Sequence, residues 1–137
     1  LICDQGTTML EKEFINPHPM GFTNTVTYSA GGVKTIIVSG QVGYEDGQVG
    51  ETFEEQAEMA HRNLVKELSD AGASPEDVVK LNSYIVDLSS DKSKTLGQVK
   101  AKYFTHTNQP ASTVVGVSAL VMKPLLVEVE ATAVIEA

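Results

Sequence analysis

Apolar and polar side chains alternate most regularly near the C-terminus, between Leu125 and Glu136. This two-residue period is typical of a strand that buries one face. The face predicted to be buried carries Val127, Val129, Ala131, Ala133 and Ile135, and the opposite face carries Glu128, Glu130, Thr132 and Glu136. We therefore expect a long strand that contributes to the core on one side and presents carboxylates on the other.

Five further segments are rich in the β-branched and aromatic residues that favour strands. They are Phe14-Ile15, Gly21 to Ala30, Val33 to Ser39, Val78 to Leu88 and Gln109 to Val115. Gly31-Gly32 is typical of a two-residue hairpin turn between the second and third. The prolines of Asn16-Pro17-His18-Pro19 are predicted to end the first strand, and Gly40-Gln41-Val42-Gly43 is predicted to break the third.

Two helices are predicted from capping residues followed by an apolar period of 3.6 residues. The first begins at Thr52, which forms a T-x-x-E capping box with Glu55, and Gly72 ends it. The second begins at Ser89-Ser90-Asp91 and continues to about Phe104. The predicted buried faces are Phe53, Ala57, Ala60, Leu64, Leu68 and Ala71 in the first helix, and Leu96, Val99, Tyr103 and Phe104 in the second.

The predicted order of elements is β-β-β-α-β-α-β-β, in a single domain spanning residues 1–137. Residues 1–12 are predicted to be a loose N-terminal lead-in, in which Met9 is a candidate native start. Strand–helix–strand units place both helices on one face of a mixed sheet, which gives an α/β (α+β) fold. The uncovered face carries Glu128 and Glu130 among apolar residues. We expect other subunits to bury it, because closed symmetric oligomers are common; the alternative is a solvated face.

Charge and composition restrict the partners. The chain has 10 Lys and Arg against 18 Asp and Glu, a formal net charge of −8. Nucleic-acid binding needs clustered cations opposite phosphates, so no nucleic-acid partner is expected. No apolar run approaches the roughly 20 residues that span a bilayer, so no membrane partner is expected. The single cysteine, Cys3, cannot form an internal disulfide, which favours a reducing cytoplasmic location.

The sequence predicts no metal site and no cofactor. His18, His61 and His106 lie far apart and share no ligand spacing with Cys3 or a carboxylate. We interpret each histidine as a solvated surface residue. There is no G-x-S-x-G elbow for a nucleophile, and no Lys-Ser or Lys-Thr follows the turn glycines to form a phosphate loop.

Glu128 and Glu130 are the candidate chemical groups, because two carboxylates two residues apart share one face of a strand. In a desolvated cleft, a carboxyl group with a raised pKa can act as a general acid or base. The alternative is a solvated or salt-bridged strand face, which the spacing alone does not exclude.

Several short segments, in the same order along the chain, carry the residues of a known family. They are Ser39-Gly40-Gln41, Glu55-Gln56, Asn63-Leu64, Ala71 to Lys80, Tyr103-Phe104, Pro110-Ala111 and Val127 to Ala131. Together they resemble the Rid (YjgF/YER057c/UK114) family, whose domain is also called endoribonuclease L-PSP-like. The resemblance runs from about Phe14 to the C-terminus. It implies a chorismate-mutase-like fold and a homotrimer whose clefts between subunits bind small carboxylates.

The resemblance also implies an activity, the hydrolysis of enamines and imines such as 2-iminobutanoate to 2-oxo acids and ammonia. The family's active members hold the substrate carboxylate with the Arg of a P-A-R motif, where this chain has Ser112 after Pro110-Ala111. A Tyr of an early G-Y-S or P-Y-S motif corresponds to Phe22. An Asn of the family's N-x-V-Y motif corresponds to Gly97. This chain is therefore similar to a divergent member of the family.

The candidate site that follows from the resemblance centres on Glu128, as an acid, a base or a residue that activates water. The candidate binding residues are Phe22, Ser39, Gly40, Ser112, Val115 and Gly116. Loss of the Arg matters most, because a guanidinium clamps a carboxylate through two charge-assisted bonds. We therefore expect 2-iminobutanoate hydrolysis to be weak or lost.

Three functions remain open from the sequence. The first is a trimeric, deaminase-like hydrolase that binds a small molecule at its subunit interfaces and acts on a non-standard imine or enamine. The second is a non-catalytic metabolite-binding or scaffold protein. The third is an endoribonuclease, which the acidic charge disfavours.

The charge balance leads to a test of the third function. We expect nuclease-free protein to leave RNA intact at physiological salt, because 18 acidic residues against 10 basic ones repel phosphates. The measurement is cleavage of a labelled RNA by the wild type and by Glu128→Ala. Robust cleavage that the Glu128→Ala substitution abolishes would overturn the prediction.

Overall fold

The computed structural model describes residues 9–137, and residues 1–8 of the predicted lead-in lie outside this range. The strands are β1 (Glu11–His18), β2 (Phe22–Ala30), β3 (Val33–Val42), β4 (Tyr44–Glu45), β5 (Gln48–Val49), β6 (Val78–Val86), β7 (Ala111–Val117) and β8 (Val127–Glu136). The helices are α1 (Phe53–Asp70) and α2 (Ser90–Tyr103).

Six strands form one mixed sheet in the order β1-β2-β3-β8-β6-β7. Neighbouring strands are antiparallel except β6 and β7, which are parallel and are connected through α2. The predicted order of elements is confirmed, with the short β4–β5 hairpin added between β3 and α1.

The hydrophobic core lies between one face of the sheet and the two helices. From α1 it receives Ala57, Ala60, Leu64 and Leu68, all fully buried. From β8 it receives Val127, Val129, Ala131 and Ala133, as the alternation predicted, and Ile135 is half-buried. Within residues 9–137, no helix is long and apolar enough to cross a membrane.

The first helix begins where the sequence predicts, but its capping box differs in one bond. The hydroxyl of Thr52 accepts a hydrogen bond from the backbone N–H of Glu55 at 3.1 Å. The Glu55 carboxylate accepts from the N–H of Glu51 at 2.9 Å instead of from Thr52. Gly72 follows the last turn with φ +89°, a left-handed conformation that glycine adopts without strain.

The first strand is longer than predicted at both ends. It includes Glu11 and Lys12, which were assigned to the lead-in, and it continues through Pro17 to His18. The prediction that Asn16-Pro17 ends the strand was wrong, because β1 is an edge strand, and edge strands tolerate proline.

The third strand also continues past its predicted end at Ser39. Val38 pairs with Ala131 and Gln41 pairs with Val129, so that Ser39 and Gly40 together lie opposite one residue of β8. This is a β-bulge, an extra residue that bends the strand without ending it. The predicted break at Gly40 is therefore wrong.

A second irregularity lies at the start of β6. Its pairing with β8 shifts between Val78 and Lys80, so that Val78 is buried and Val79 is half exposed. An unbroken two-residue period would place Val79 on the buried face with Leu81 and Ile85, but the register shift buries Val78 in its place.

A buried glutamine connects α1 to the segment between β7 and β8. The amide nitrogen of Gln56 donates to the carbonyl oxygens of Gly50 at 3.0 Å and Pro124 at 2.8 Å. Its amide oxygen accepts from the N–H of Leu126 at 2.7 Å. Because Gln56 is only 1% exposed, water cannot replace these bonds.

We expect Gln56→Ala to reduce the free energy of unfolding by about 3 kcal/mol or more, because it leaves three backbone groups without partners. Chemical denaturation measures this change. The control is Gln98→Ala, which removes an exposed glutamine from α2 and should change stability by less than about 0.5 kcal/mol. Equal stabilities of the two variants would contradict the role of Gln56.

Candidate functional site

A cavity of about 540 Å³ opens where the β1–β2 turn, the bulge of β3 and the segment before β8 meet. It is lined by His18, Met20, Phe22, Ser39, Gly40, Val42, Tyr44, Val121, Met122, Leu125 and Glu128. Most of these side chains are apolar. Among residues 9–137, Glu128 supplies the single carboxylate of this lining, and none of the lining residues is Lys or Arg.

Gly40 lets the carboxyl group of Glu128 pack directly against the backbone of β3. A Cβ atom at position 40 would lie 2.5 Å from Oε1 of Glu128 and 2.6 Å from its Cδ. These distances are too short for any side chain, so a residue other than glycine would displace the carboxyl group. The bulge thus determines where the carboxylate of Glu128 lies.

Polar contacts hold the bulge in place. The hydroxyl of Ser39 donates to the carbonyl of Thr23 on β2 at 2.7 Å. The amide nitrogen of Gln41 donates to Oδ1 of Asn24 at 3.1 Å and to the carbonyl of Ser39 at 3.1 Å. The proton of the Ser39 hydroxyl is therefore used within the protein, and its oxygen can still accept a hydrogen bond in the cavity.

The two carboxylates of β8 lie in different surroundings. Glu130 accepts hydrogen bonds from the hydroxyl of Tyr84 and, at 3.3 Å, from the amide of Asn82. Glu128 receives no hydrogen bond from the described residues. Burial raises the pKa of Glu128, and the charge of Glu130 raises it further. Glu128 is therefore the carboxyl group better placed to exchange a proton.

His18 and Phe22 form one wall of the cavity, as paired residues on either side of the β1–β2 turn. Their rings stack with centroids 4.6 Å apart. The N–H of Met20 donates to Nδ1 of His18 at 3.1 Å, so in the neutral ring the proton is on Nε2. The interpretation of His18 as a plain surface residue missed this role, because β1 was predicted to end before His18.

The other two histidines lie outside the cavity. His61 is 1% exposed, and its Nδ1 lies 2.8 Å from the carbonyl of Ala57. Burial lowers the pKa of His61 and favours the neutral ring. The prediction that His61 is on the surface was wrong, because it packs against Tyr103 and Phe104 at the junction of the two helices. His106 is half-buried beside Phe104.

The residues predicted for the site fall into two groups. Phe22, Ser39, Gly40 and Glu128 line the cavity. Ser112, Val115 and Gly116 lie on β7, at the far edge of the sheet, and β8 and β6 separate them from β3. Within one chain, the second group therefore does not reach the cavity.

One mixed sheet with two helices on one face defines a YjgF-like α/β domain, and solved structures share it. RidA from the Antarctic bacterium Psychrobacter sp. PAMC 21119 has a TM-score of 0.74 and 31% identity, over 87% of this chain and 93% of that one. A YjgF/YER057c/UK114 family member from Mycobacterium tuberculosis has a TM-score of 0.75 and 27% identity, over 91% and 100%.

Sequence comparison gives the same result. The family model described as Endoribonuclease L-PSP matches residues 22–135. A RutC family protein of Aquifex aeolicus is 37% identical over 98 residues, which are 69% of this chain and 74% of that protein. The chain belongs to the endoribonuclease L-PSP family, and its resemblance to the Rid (YjgF/YER057c/UK114) proteins is confirmed.

Proposed function

We propose that this protein is a cytoplasmic homotrimer whose clefts between subunits bind a small metabolite and hydrolyse a non-standard imine or enamine. The observation that carries the proposal is the cavity around Glu128, whose volume of about 540 Å³ suits a small molecule. Its carboxyl group is half-buried, has a raised pKa and receives no hydrogen bond from the described residues. These are the properties of a general acid or base.

Exposed apolar residues support the trimer. The face of the sheet opposite the helices exposes Phe14, Tyr28, Ile37 and Val134. Contiguous apolar surface of this kind marks a contact with another protein. Within the described part of the chain, β7 is an edge strand without a second neighbour, and it exposes Val115. Closed assembly explains both features, since it covers the apolar face and pairs or shields the edge strand.

The same assembly accounts for the division of the predicted site. The cavity with Glu128 lies at one end of the sheet, and Ser112, Val115 and Gly116 lie on the far edge strand. When β7 of one subunit lies over the cavity of the next, these three residues complete the cleft.

The reaction needs water, a proton acceptor and a proton donor. Glu128 takes a proton from water as the oxygen adds to the carbon of a protonated C=N group. Protonated Glu128 returns this proton to the nitrogen of the adduct. The C–N bond then breaks as the C=O bond forms, and the leaving ammonia takes up the hydroxyl proton. The products are a carbonyl compound and an ammonium ion, so no oxidant or reductant is required.

A carboxylate-bearing substrate fits this cavity poorly. The family's P-A-R arginine is replaced by Ser112, and the part of the cavity lining that the structure describes offers no Lys or Arg in its place. This loss also favours the second candidate, a non-catalytic metabolite-binding protein, over an efficient 2-imino-acid deaminase. Turnover of any imine distinguishes the two.

The assembly is tested by multi-angle light scattering. We expect a mass about three times that of the chain, because burial of the apolar sheet face stabilises a closed assembly. Val115→Asp should shift the population towards smaller species, since it places a charge on the exposed β7 edge. Ser93→Asp, on the exposed side of α2, is the matched control. A stable wild-type monomer at micromolar concentration would refute the inter-subunit cleft.

The reaction is tested by ammonia release from freshly generated 2-iminobutanoate. We expect the wild type to be slower than an Arg-bearing relative by about two to four decades, since the lost contact to the substrate carboxylate is worth several kcal/mol. Glu128→Gln should remove the residual activity. Ser112→Arg adds the missing cation but leaves Phe22 and Gly97 unlike the family pattern, so a full return to the relative's rate is not expected.

Equal rates for the wild type and the relative would show that Ser112 in place of Arg does not slow 2-iminobutanoate hydrolysis. Residual activity that survives Glu128→Gln would remove Glu128 from the mechanism. Ammonia release from a buffer blank is the control, because imines also hydrolyse spontaneously.

A further inference from the structure

We infer that the cavity selects an organic cation, a protonated imine or amine that has an apolar body and no carboxylate. Glu128 holds the charged nitrogen, and Phe22 packs against the body. This inference names the ligand class of the cavity and rests on its assignment as the ligand site under the proposed function.

The charges of the residues around the cavity are the first observation that favours a cationic ligand. The described residues that line it include one carboxylate and no Lys or Arg to neutralise it. Lys80 lies instead with Glu130 in a separate cavity of about 140 Å³. An ionised carboxylate half removed from water lacks compensation until a cation reaches it. An anionic ligand would be repelled by both Glu128 and Glu130.

The residues that complete the cleft in the proposed trimer do not change this balance. Ser112, Val115 and Gly116 bring a hydroxyl, an isopropyl group and backbone, none of them charged. The carboxylate-binding cation found in the family's P-A-R motif is therefore not replaced from the neighbouring subunit by these residues.

The apolar walls of the cavity determine which group can be attached to the charged nitrogen of the ligand. Met20, Val121, Met122 and Leu125 line the cavity beside the stacked rings of His18 and Phe22. Thioether side chains adapt to ligands of irregular shape. The face of an aromatic ring also attracts a cation that lies over it. The cavity therefore suits an apolar group attached to a charged nitrogen.

Three probe molecules that share a phenyl ring and differ in charge test the inference. Benzylamine is cationic, benzyl alcohol is neutral and benzoate is anionic. Titration calorimetry with the full-length protein should show benzylamine binding about tenfold more tightly than benzyl alcohol, and benzoate more weakly than both. The preference for benzylamine should disappear in Glu128→Gln, while benzyl alcohol still binds.

Glu76→Gln is the matched control, because Glu76 is an exposed carboxylate outside the cavity. It should leave all three affinities unchanged. Phe22→Ala should weaken benzylamine and benzyl alcohol together, since it removes a wall and not the charge. Circular dichroism of each variant checks that the fold is retained.

The pH dependence of benzylamine binding provides a second readout. Its affinity should begin to fall at a pH above the ordinary glutamate pKa, because burial and the charge of Glu130 raise the pKa of Glu128, which takes up a proton while the amine stays charged. The other titratable groups facing Glu128 are His18, Tyr44, Tyr84 and Glu130. The Glu128→Gln variant retains these neighbouring groups and therefore separates their contribution from that of Glu128. The wild type should therefore show the steeper loss.

Each outcome is decisive. Benzoate binding most tightly, equal benzylamine affinity in the wild type and Glu128→Gln, or no binding of any probe would overturn the inference. Benzylamine selectivity without hydrolysis of any imine would refute the proposed catalysis and leave the inference standing. Imine hydrolysis without selectivity for benzylamine would overturn the inference and leave the proposed catalysis standing.

Discussion

The two-residue period of β8 is the constraint on which the rest of the structure depends. Val127 and Val129 lie in the core under α1, so Glu128 and Glu130 must point to the face that the helices leave uncovered. A one-residue slip would move both carboxylates into the core, where unpaired charge is strongly unfavourable. Core packing therefore fixes the orientation of the candidate site before any ligand is present.

Two local features then shape the site. The Ser39–Gly40 bulge removes the side chain that would otherwise clash with the carboxyl group of Glu128. On the opposite wall, Gln56 bonds to the backbone of Pro124 and Leu126, on either side of the cavity residue Leu125. Helix α1 thus positions part of the cavity through a buried amide, and its apolar face forms the core.

The elements that follow local rules were predictable from the sequence. The alternation of β8, the period of α1 and the Gly31-Gly32 turn each need information from a few neighbouring residues, and all three occur as predicted. The Ser39-Gly40-Gln41 motif also identified residues that line the cavity.

The errors concern features that depend on a distant partner. Pro17 and Gly40 interrupt a strand in most contexts, but here one lies on an edge strand and the other in a bulge against β8. Ending β1 early also concealed the pairing of His18 with Phe22. The distance of Ser112 from the cavity depends on strand order, which local patterns do not determine.

Among the described residues, no Lys or Arg lines the cavity beside the Glu128 carboxylate, and we propose that a cationic ligand supplies the compensating charge. Carbon-13 NMR of the labelled Glu128 carboxyl group measures its pKa directly, in the free protein and with saturating benzylamine. The account predicts that the pKa of Glu128 lies above the ordinary value for glutamate in the free protein and falls when benzylamine binds, while the Glu76 signal does not respond. An ordinary pKa that benzylamine leaves unchanged would contradict it.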